Sequence, residues 1–417
     1  MKIAKAILIS PDHNSVYATG ALALSLFVFA YSSRFGQVSI LVYYALWLPL
    51  VMIDYRRVLG NYMRYAWIFA FGIFACLSLF WSVAPGVSAR AGLQYLSHIV
   101  CVLIAMRLVN ISTLVHGMIA GIGLVLLYSL LFGVYHFDPL DGTFSFVGAF
   151  DSKNQLGFYA SLGVYFSFAA FFMAQERSRW LWPSAAVGLT ACYCLYAAQS
   201  ATSALTTIAV ICLCLGLRVL SMLSLRKRKA LFLTVIVLGT FSVVGAIYGG
   251  AIDSVLGVFG KDSTLTGRTY LWQQGIAAAG ASPIFGVGYQ AYWVQGFSEA
   301  ERLWYEFFIG SRSGFHFHNT FIETMVETGA VGLFLLSSVL LITMCGHLKR
   351  LLSLNLAIES SVLFGVAVLL FMRAFVEVDI LNPYHVGSFL LYFSAGRLTV
   401  RAVRPSFVGL HLPANAS

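Results

Sequence analysis

Charge is the commodity this chain has least of. Asp, Glu, Lys and Arg make up 10% of its 417 residues, while 59% are hydrophobic and mean hydropathy is +0.84. A soluble domain carries about 25% charged residues, so a water-soluble globule is excluded and an integral membrane protein is expected. Cysteine is scarce where it would matter: Cys76, Cys101, Cys192, Cys194, Cys212, Cys214 and Cys345 all lie in apolar runs. The pairs Cys192-x-Cys194 and Cys212-x-Cys214 diverge by about 200° on a helix, a poor geometry for metal. The long polar stretch 250–319 has no cysteine, which excludes a disulfide staple there. No internal repeat is visible, so an inverted-repeat transporter gains no support. The first fifteen residues are polar and include Pro11, and no cleavage site follows the first apolar run. An uncleaved first span is therefore expected in place of a signal peptide.

What is present is a series of apolar runs of roughly the 17–25 residues needed to cross a bilayer. They fall at 16–33, 37–53, 65–81, 94–109, 113–134, 155–174, 180–198, 203–223, 230–249, 320–345, 358–375 and 384–398. The fourth is the weakest, because Ser97 and His98 interrupt it. The expected fold is an all-α polytopic membrane protein of about twelve transmembrane helices with one large outer loop containing short helices. Three regions follow: a transmembrane bundle at 1–249, the loop at 250–319, and further membrane helices with a cytoplasmic tail at 320–417.

The net charge of +10 invites a nucleic-acid reading, but its placement argues for topology. With both termini cytoplasmic, eighteen of the 26 Lys and Arg fall in inner loops, the basic run 226–229 among them. That bias is the positive-inside rule. The eight exceptions are Arg34, Arg90, Lys153, Lys261, Arg268, Arg302, Arg312 and Arg373. Cations that resist the rule need another reason to be there, and phosphate binding is the natural one.

The outer loop 135–154 holds Pro139, Asp141-Gly142 and Gly148, which is turn chemistry. Lys153 and Asn154 then open a span, where helix N-terminal N–H groups favour anions. The plain alternative is a snorkelling lysine with Asp151 as the helix cap. A loop as long as 250–319 is normally functional. Its pattern predicts a helix from Arg268, a stop at Ser282-Pro283 and a glycine-bent re-entry at 284–289. An aromatic stretch at 303–309 suits the lipid interface. The loop therefore reads as a lid against the outer leaflet. Arg268 offers a planar fork for phosphate oxygens, or else an ion pair with Asp262 or Glu301, or a lipid headgroup contact. Gly286-x-Gly288 follows no strand, so a nucleotide loop is rejected.

His316-x-His318-Asn319 stands just before the span at 320. Its spacing lacks further ligands, so no metal is expected. A histidine base suits that position, and an interfacial histidine without chemistry is the bland alternative. Glu323 and Glu327 share a helical face and could orient His318 or each other. Glu377-x-Asp379 could bind hydroxyls, although capping a helix or pairing with Arg373 is the simpler reading.

Taken in order, several segments resemble the O-antigen ligase and Wzy-type polymerase superfamily of bacterial envelope glycosyltransferases. They are Trp81-Ser82-Val83-Ala84-Pro85, Gly148-Ala149-Phe150-Asp151-Ser152-Lys153-Asn154-Gln155-Leu156-Gly157, Gly267-Arg268-x-x-x-Trp272 and Pro283-Ile284-Phe285-Gly286-Val287-Gly288. His318-Asn319-Thr320-Phe321-Ile322-Glu323 and Glu327-x-Gly329-Ala330-Val331-Gly332 complete the set. The resemblance implies a GT-C-like enzyme of the inner membrane, acting at the periplasmic face without cofactor or metal. It would transfer a glycan from undecaprenyl diphosphate to a sugar hydroxyl of a second glycan or of lipid A core. Membrane lipid and envelope polysaccharide-assembly proteins are the other partners it implies; nucleic acid is not among them. It places the base on His318 and a diphosphate contact on Arg268, with Lys153, Asn154, Asn319, Arg312, Arg90 and Glu323 as further substrate-binding candidates. One departure stands out. Many members carry a second cation where this chain reads Gln199-Ser200-Ala201-Thr202-Ser203; either that motif aligns elsewhere, or Lys153, Arg90 or Arg312 supplies the charge. The rival class is a polysaccharide flippase, which would need charges lining a path across the bilayer. Here the mid-span regions are nearly empty of charge and the polar groups gather on one face.

Overall fold

A computed structural model describes residues 5–138, 143–221, 267–353 and 358–400, with short pieces between 223 and 237. Eight principal helices come first: α1 (Ser15–Phe35), α2 (Ser39–Trp47), α3 (Ala66–Leu77), α4 (Pro85–Leu108), α5 (Ile111–Phe132), α6 (Lys153–Phe168), α7 (Leu181–Ala197) and α8 (Ala201–Ser221). Five more follow: α9 (Arg268–Ala281), α10 (Ser298–Glu306), α11 (Thr320–Ser353), α12 (Ile358–Ala374) and α13 (Val386–Thr399). Among the described residues, seven helical segments are long and apolar enough to cross a membrane. The chain is a multi-pass membrane protein.

The expected run 230–249 and the segment 250–266, with Lys261 and Asp262, fall wholly or mostly outside the described residues. Four other expected spans are helical but short. The run 37–53 is α2 continued by a 3-10 turn, Leu48–Met52, with Pro49 near its start. Helices α7 and α12 have 17 residues each and α13 has 14. At 1.5 Å per residue, α13 covers about 21 Å, less than the hydrocarbon core.

The fourth span is stronger than its sequence suggests. Ser97 and His98 do not interrupt α4, which runs unbroken for 24 residues. His98 is fully buried and hydrogen-bonded on both ring nitrogens, to Tyr43 Oη and Ser388 Oγ at 3.2 Å each. Ser97 Oγ meets Tyr44 Oη at 2.6 Å. Polar groups are tolerated in an apolar bundle when they find partners inside it.

The all-α expectation needs one correction. Val134–Asp138 (β1) and Thr143–Gly148 (β2) pair as an antiparallel hairpin between α5 and α6. The alternation Tyr135, Phe137 against Phe144, Phe146 has the period of two that a strand needs. Turn residues 139–142 drew attention to the loop and hid the strands beside it.

A sharper feature sits in α11. Gly329 adopts φ +65 and ψ −168, so the helix kinks there. A kink frees backbone groups, which cannot stay unpaired at membrane depth. The segment 283–288 supplies the partners. Val287 N donates to Val326 O and Gly288 N to Glu327 O, while Ala330 N donates to Pro283 O and Val331 N to Ile284 O. The approach is so close that a Cβ on Gly286 would lie 2.4 Å from the Glu327 backbone. The same segment docks on the 81–85 motif, since Trp81 Nε1 donates to Phe285 O and Val83 N to Val287 O.

The loop between α12 and α13, residues 375–385, is held from all sides. Phe375 O accepts from Asn319 Nδ2, Val376 O from Arg268 and Glu377 O from Thr320 Oγ1. Ile380 O accepts from Tyr95 Oη, Leu381 O from Tyr289 Oη, and Asn382 Oδ1 from Gln290 Nε2. These bonds draw the start of α11, the loop segment 289–290 and α4 onto one short stretch of chain.

Candidate active site

The two most conspicuous residues of the sequence meet across that loop. Gly267 caps α9 in the left-handed region at φ +80, a conformation glycine takes without cost. Arg268 is thus the first residue of the helix, and its guanidinium turns toward 376–377. One amino group donates to Val376 O at 2.8 Å and the other to Glu377 Oε1 at 2.8 Å. The second carboxylate oxygen, Glu377 Oε2, lies 3.5 Å from Nδ1 of His318. That is an ion-pair distance, longer than a hydrogen bond. Glu377 therefore sits between a permanent cation and an imidazole.

Burial of the Glu377 side chain favours its neutral form, but Arg268, His318 and His316 more than offset this and hold the carboxyl well below its usual range. Burial together with neighbouring His318 pushes the His316 imidazole down to about 3, so it is neutral at ordinary pH. Its ring centroid is 4.2 Å from that of His318. His316 Nδ1 accepts a hydrogen bond from the backbone N–H of His318 at 3.1 Å. In a neutral ring the proton must then be on Nε2, leaving no lone pair free. His318 differs: among the described residues its Nε2 has no hydrogen-bond partner.

Donor atoms of His316, His318 and Glu377 lie within 4.8 Å of one another, a set that could gather a divalent ion. Such an ion would sit beside the Arg268 guanidinium, and His316 could offer it Nε2 only, since Nδ1 accepts the His318 N–H.

The other expected residues divide into those nearby and those elsewhere. Asn319 is 8% exposed and works as a helix cap, its Oδ1 accepting from Phe321 N and Ile322 N at the start of α11. Glu323 does not orient His318. Its oxygens are taken by Trp293 Nε1 and Phe317 N, both at 2.7 Å, because the 293 and 317 segments fold over that helix face. Glu327 is buried on the same face, with one oxygen unpartnered. Arg312 is exposed and pairs with Glu301 at 3.2 Å, so Glu301 is not the partner of Arg268. Arg90 is exposed on the second turn of α4. Lys153 opens α6, capped by Ser152 and not by Asp151. Asn154 Oδ1 accepts from Ser200 Oγ at 2.9 Å.

The uncharged segment 199–203 receives a cation from an unexpected side. Arg373, 1% exposed at the end of α12, donates to Ser203 Oγ at 3.0 Å and pairs with Asp379 Oδ2 at 2.5 Å. Its guanidinium carbon stands 4.3 Å from the centroid of the Phe158 ring. Ser203 is bonded in turn to Ser200, which reaches Asn154. The Asp379–Arg373 pairing matches one reading of the 377–379 acids. The partnership of Glu377 with Arg268 and His318 does not, and its one visible signal was an acid just past the apolar run 358–375.

Comparison with known proteins identifies the family of the chain. The family described as O-antigen ligase matches residues 186–337, a stretch that contains Arg268, His316 and His318 and stops short of Glu377. Over 400 residues the chain is 67% identical to exopolysaccharide production protein ExoQ of Rhizobium meliloti (strain 1021), spanning 96% of this chain and 92% of that protein. The chain belongs to the O-antigen ligase family.

Proposed function

We propose that this protein transfers a glycan from undecaprenyl diphosphate to a sugar hydroxyl at the periplasmic face of the inner membrane, and that its products are polysaccharide chains. The observation that carries the reading is the Arg268–Glu377–His318 cluster at one end of the bundle. The likeness to ExoQ, an exopolysaccharide production protein, supports polymer assembly over ligation to lipid A core. The described part of the outer loop, 267–319, acts in this reading as a lid or cap against the outer leaflet.

In the proposed step, His318 Nε2 takes the proton of the acceptor hydroxyl. The hydroxyl oxygen bonds to the anomeric carbon as the bond from that carbon to the diphosphate oxygen breaks. A single displacement of this kind inverts the anomeric configuration. The imidazolium so formed is stabilised by Glu377, which faces Nδ1. Negative charge grows on the departing diphosphate. Arg268 still has three N–H donors to offer it after its bonds to Val376 and Glu377. Preorganised donors aimed at developing charge are the usual main source of rate enhancement. Lys153 and Asn154, at the start of α6, are assigned to the donor as well.

The test uses purified protein in lipid nanodiscs with an undecaprenyl diphosphate-linked oligosaccharide, following release of undecaprenyl diphosphate. His318→Ala is expected to lower turnover by about 10²–10⁴-fold, the range of general-base assistance, with an unchanged melting profile. Near-normal release by His318→Ala would remove the base. No release by the parent protein with authentic donor and acceptor would remove the reaction, and product length separates polymer assembly from ligation.

A further inference from the structure

The two histidines are two residues apart, and they are bonded in a way that divides their work. His318 has a left-handed backbone, φ +51, which side-chain-bearing residues seldom adopt. Something must hold it there. Each neighbour has its own tether. Phe317 N donates to Glu323, and Asn319 caps α11 while its amide grips Phe375 O. For His318 the tether is His316, whose Nδ1 accepts the His318 N–H at 3.1 Å. This is the local side chain to backbone pattern, residue i to i+2, that Asn and Asp use in turns.

The same bond removes His316 from proton transfer. Its Nδ1 lone pair is spent on the backbone, and its Nε2 carries the ring proton. Meanwhile its ring lies 4.2 Å from that of His318 at 59°, forming a wall beside it. On the third side Glu377 faces Nδ1 of His318. With its backbone held by one neighbour and Nδ1 facing a carboxylate 3.5 Å away, Nε2 is the ring nitrogen left for a substrate.

We propose that His316 is a positioning residue: its Nδ1 holds His318 in its left-handed conformation and thereby aims His318 Nε2 at the acceptor. The inference rests on His318 being the base, as proposed above. It makes a specific demand. An asparagine at 316 places its Oδ1 close to where Nδ1 stands and can accept the same N–H, so the tether survives while the ring is lost. Alanine loses both, and glutamine carries its oxygen one carbon too far.

The experiment compares His316→Asn, His316→Ala and His316→Gln in nanodiscs, with kcat and donor KM measured across pH 5.5–8.5. Alanine and glutamine are expected to lower kcat at least ten-fold with donor KM within about two-fold. Asparagine should recover most of the loss and keep the parent's acidic limb of the pH profile. Asparagine as impaired as alanine would overturn the tether, and so would alanine with parental kcat. A second readout is independent of turnover. In ¹⁵N-histidine-labelled protein, the His316 resonance, assigned by its loss in His316→Asn, should keep the neutral Nε2–H pattern from pH 5 to 8. Titration of that resonance within this range would also overturn the assignment. Failure of the base itself shows separately, as full activity in His318→Ala.

Discussion

Glu377 meets Arg268 on one side and His318 on the other, and removing its charge tests the whole cluster. Glu377→Gln keeps the shape but leaves Arg268 uncompensated and the imidazolium unsupported. Turnover in the nanodisc assay is expected to fall by about 10²-fold or more, within the range of general acid–base effects. The pH dependence has a definite sign. The native carboxyl titrates below its unfolded value, so its stabilising charge is fully present above about pH 4.3. It is lost as pH falls through the lowered native value. The melting temperature of Glu377→Gln should therefore lie below the parent's at pH 7, and the gap should close as pH drops below about 4. Sequence exposed His318 and Arg268 because both stand out of place beside a membrane. Glu377 was harder to assign, since its partner Arg268 is 109 residues away and Arg373 offered a nearer one. Charge can be read along a chain; which charge meets which depends on the fold.

Helix α11 and the segment 283–288 form a unit that neither could form alone. The kink at Gly329 opens the helix, and the segment fills the opened hydrogen bonds. A methyl group on Gly329 would meet Ile284 O at 2.2 Å in a backbone region that only glycine occupies readily. Gly329→Ala is expected to cost at least about 1–3 kcal/mol and to lower the melting temperature in detergent. Gly310→Ala, with open space around it, should stay within about 0.5 kcal/mol of the parent. The glycine-bent re-entry was legible in Pro283, Gly286 and Gly288, and so was α9 from Arg268. The pairing with α11 was not, because backbone hydrogen bonds leave no mark on side-chain identity. The hairpin 134–148 escaped for a related reason: two short aromatic alternations are outweighed by the turn residues between them.

Across the whole molecule, buried polar chemistry ties helices that are distant in sequence. Asn154 on α6, Ser200 and Ser203 at the start of α8, Arg373 on α12 and Asp379 in the last loop form one continuous chain. Removing one member of its ion pair strands the other in the interior. Arg373→Met alone is expected to destabilise by about 3–5 kcal/mol, and Arg373→Met combined with Asp379→Asn by distinctly less. Urea-dependent unfolding of the two variants checks the order. The hub beside this chain is the stretch 375–385, which holds α4, α9 and α11 through its carbonyls. In chain order it comes after every residue of the cluster that it completes. A nascent chain can have inserted every earlier helix and already display Arg268, His316 and His318, yet have no counter-charge between them. Synthesis thus withholds the complete Arg268–Glu377–His318 cluster until the stretch 375–385 has been made.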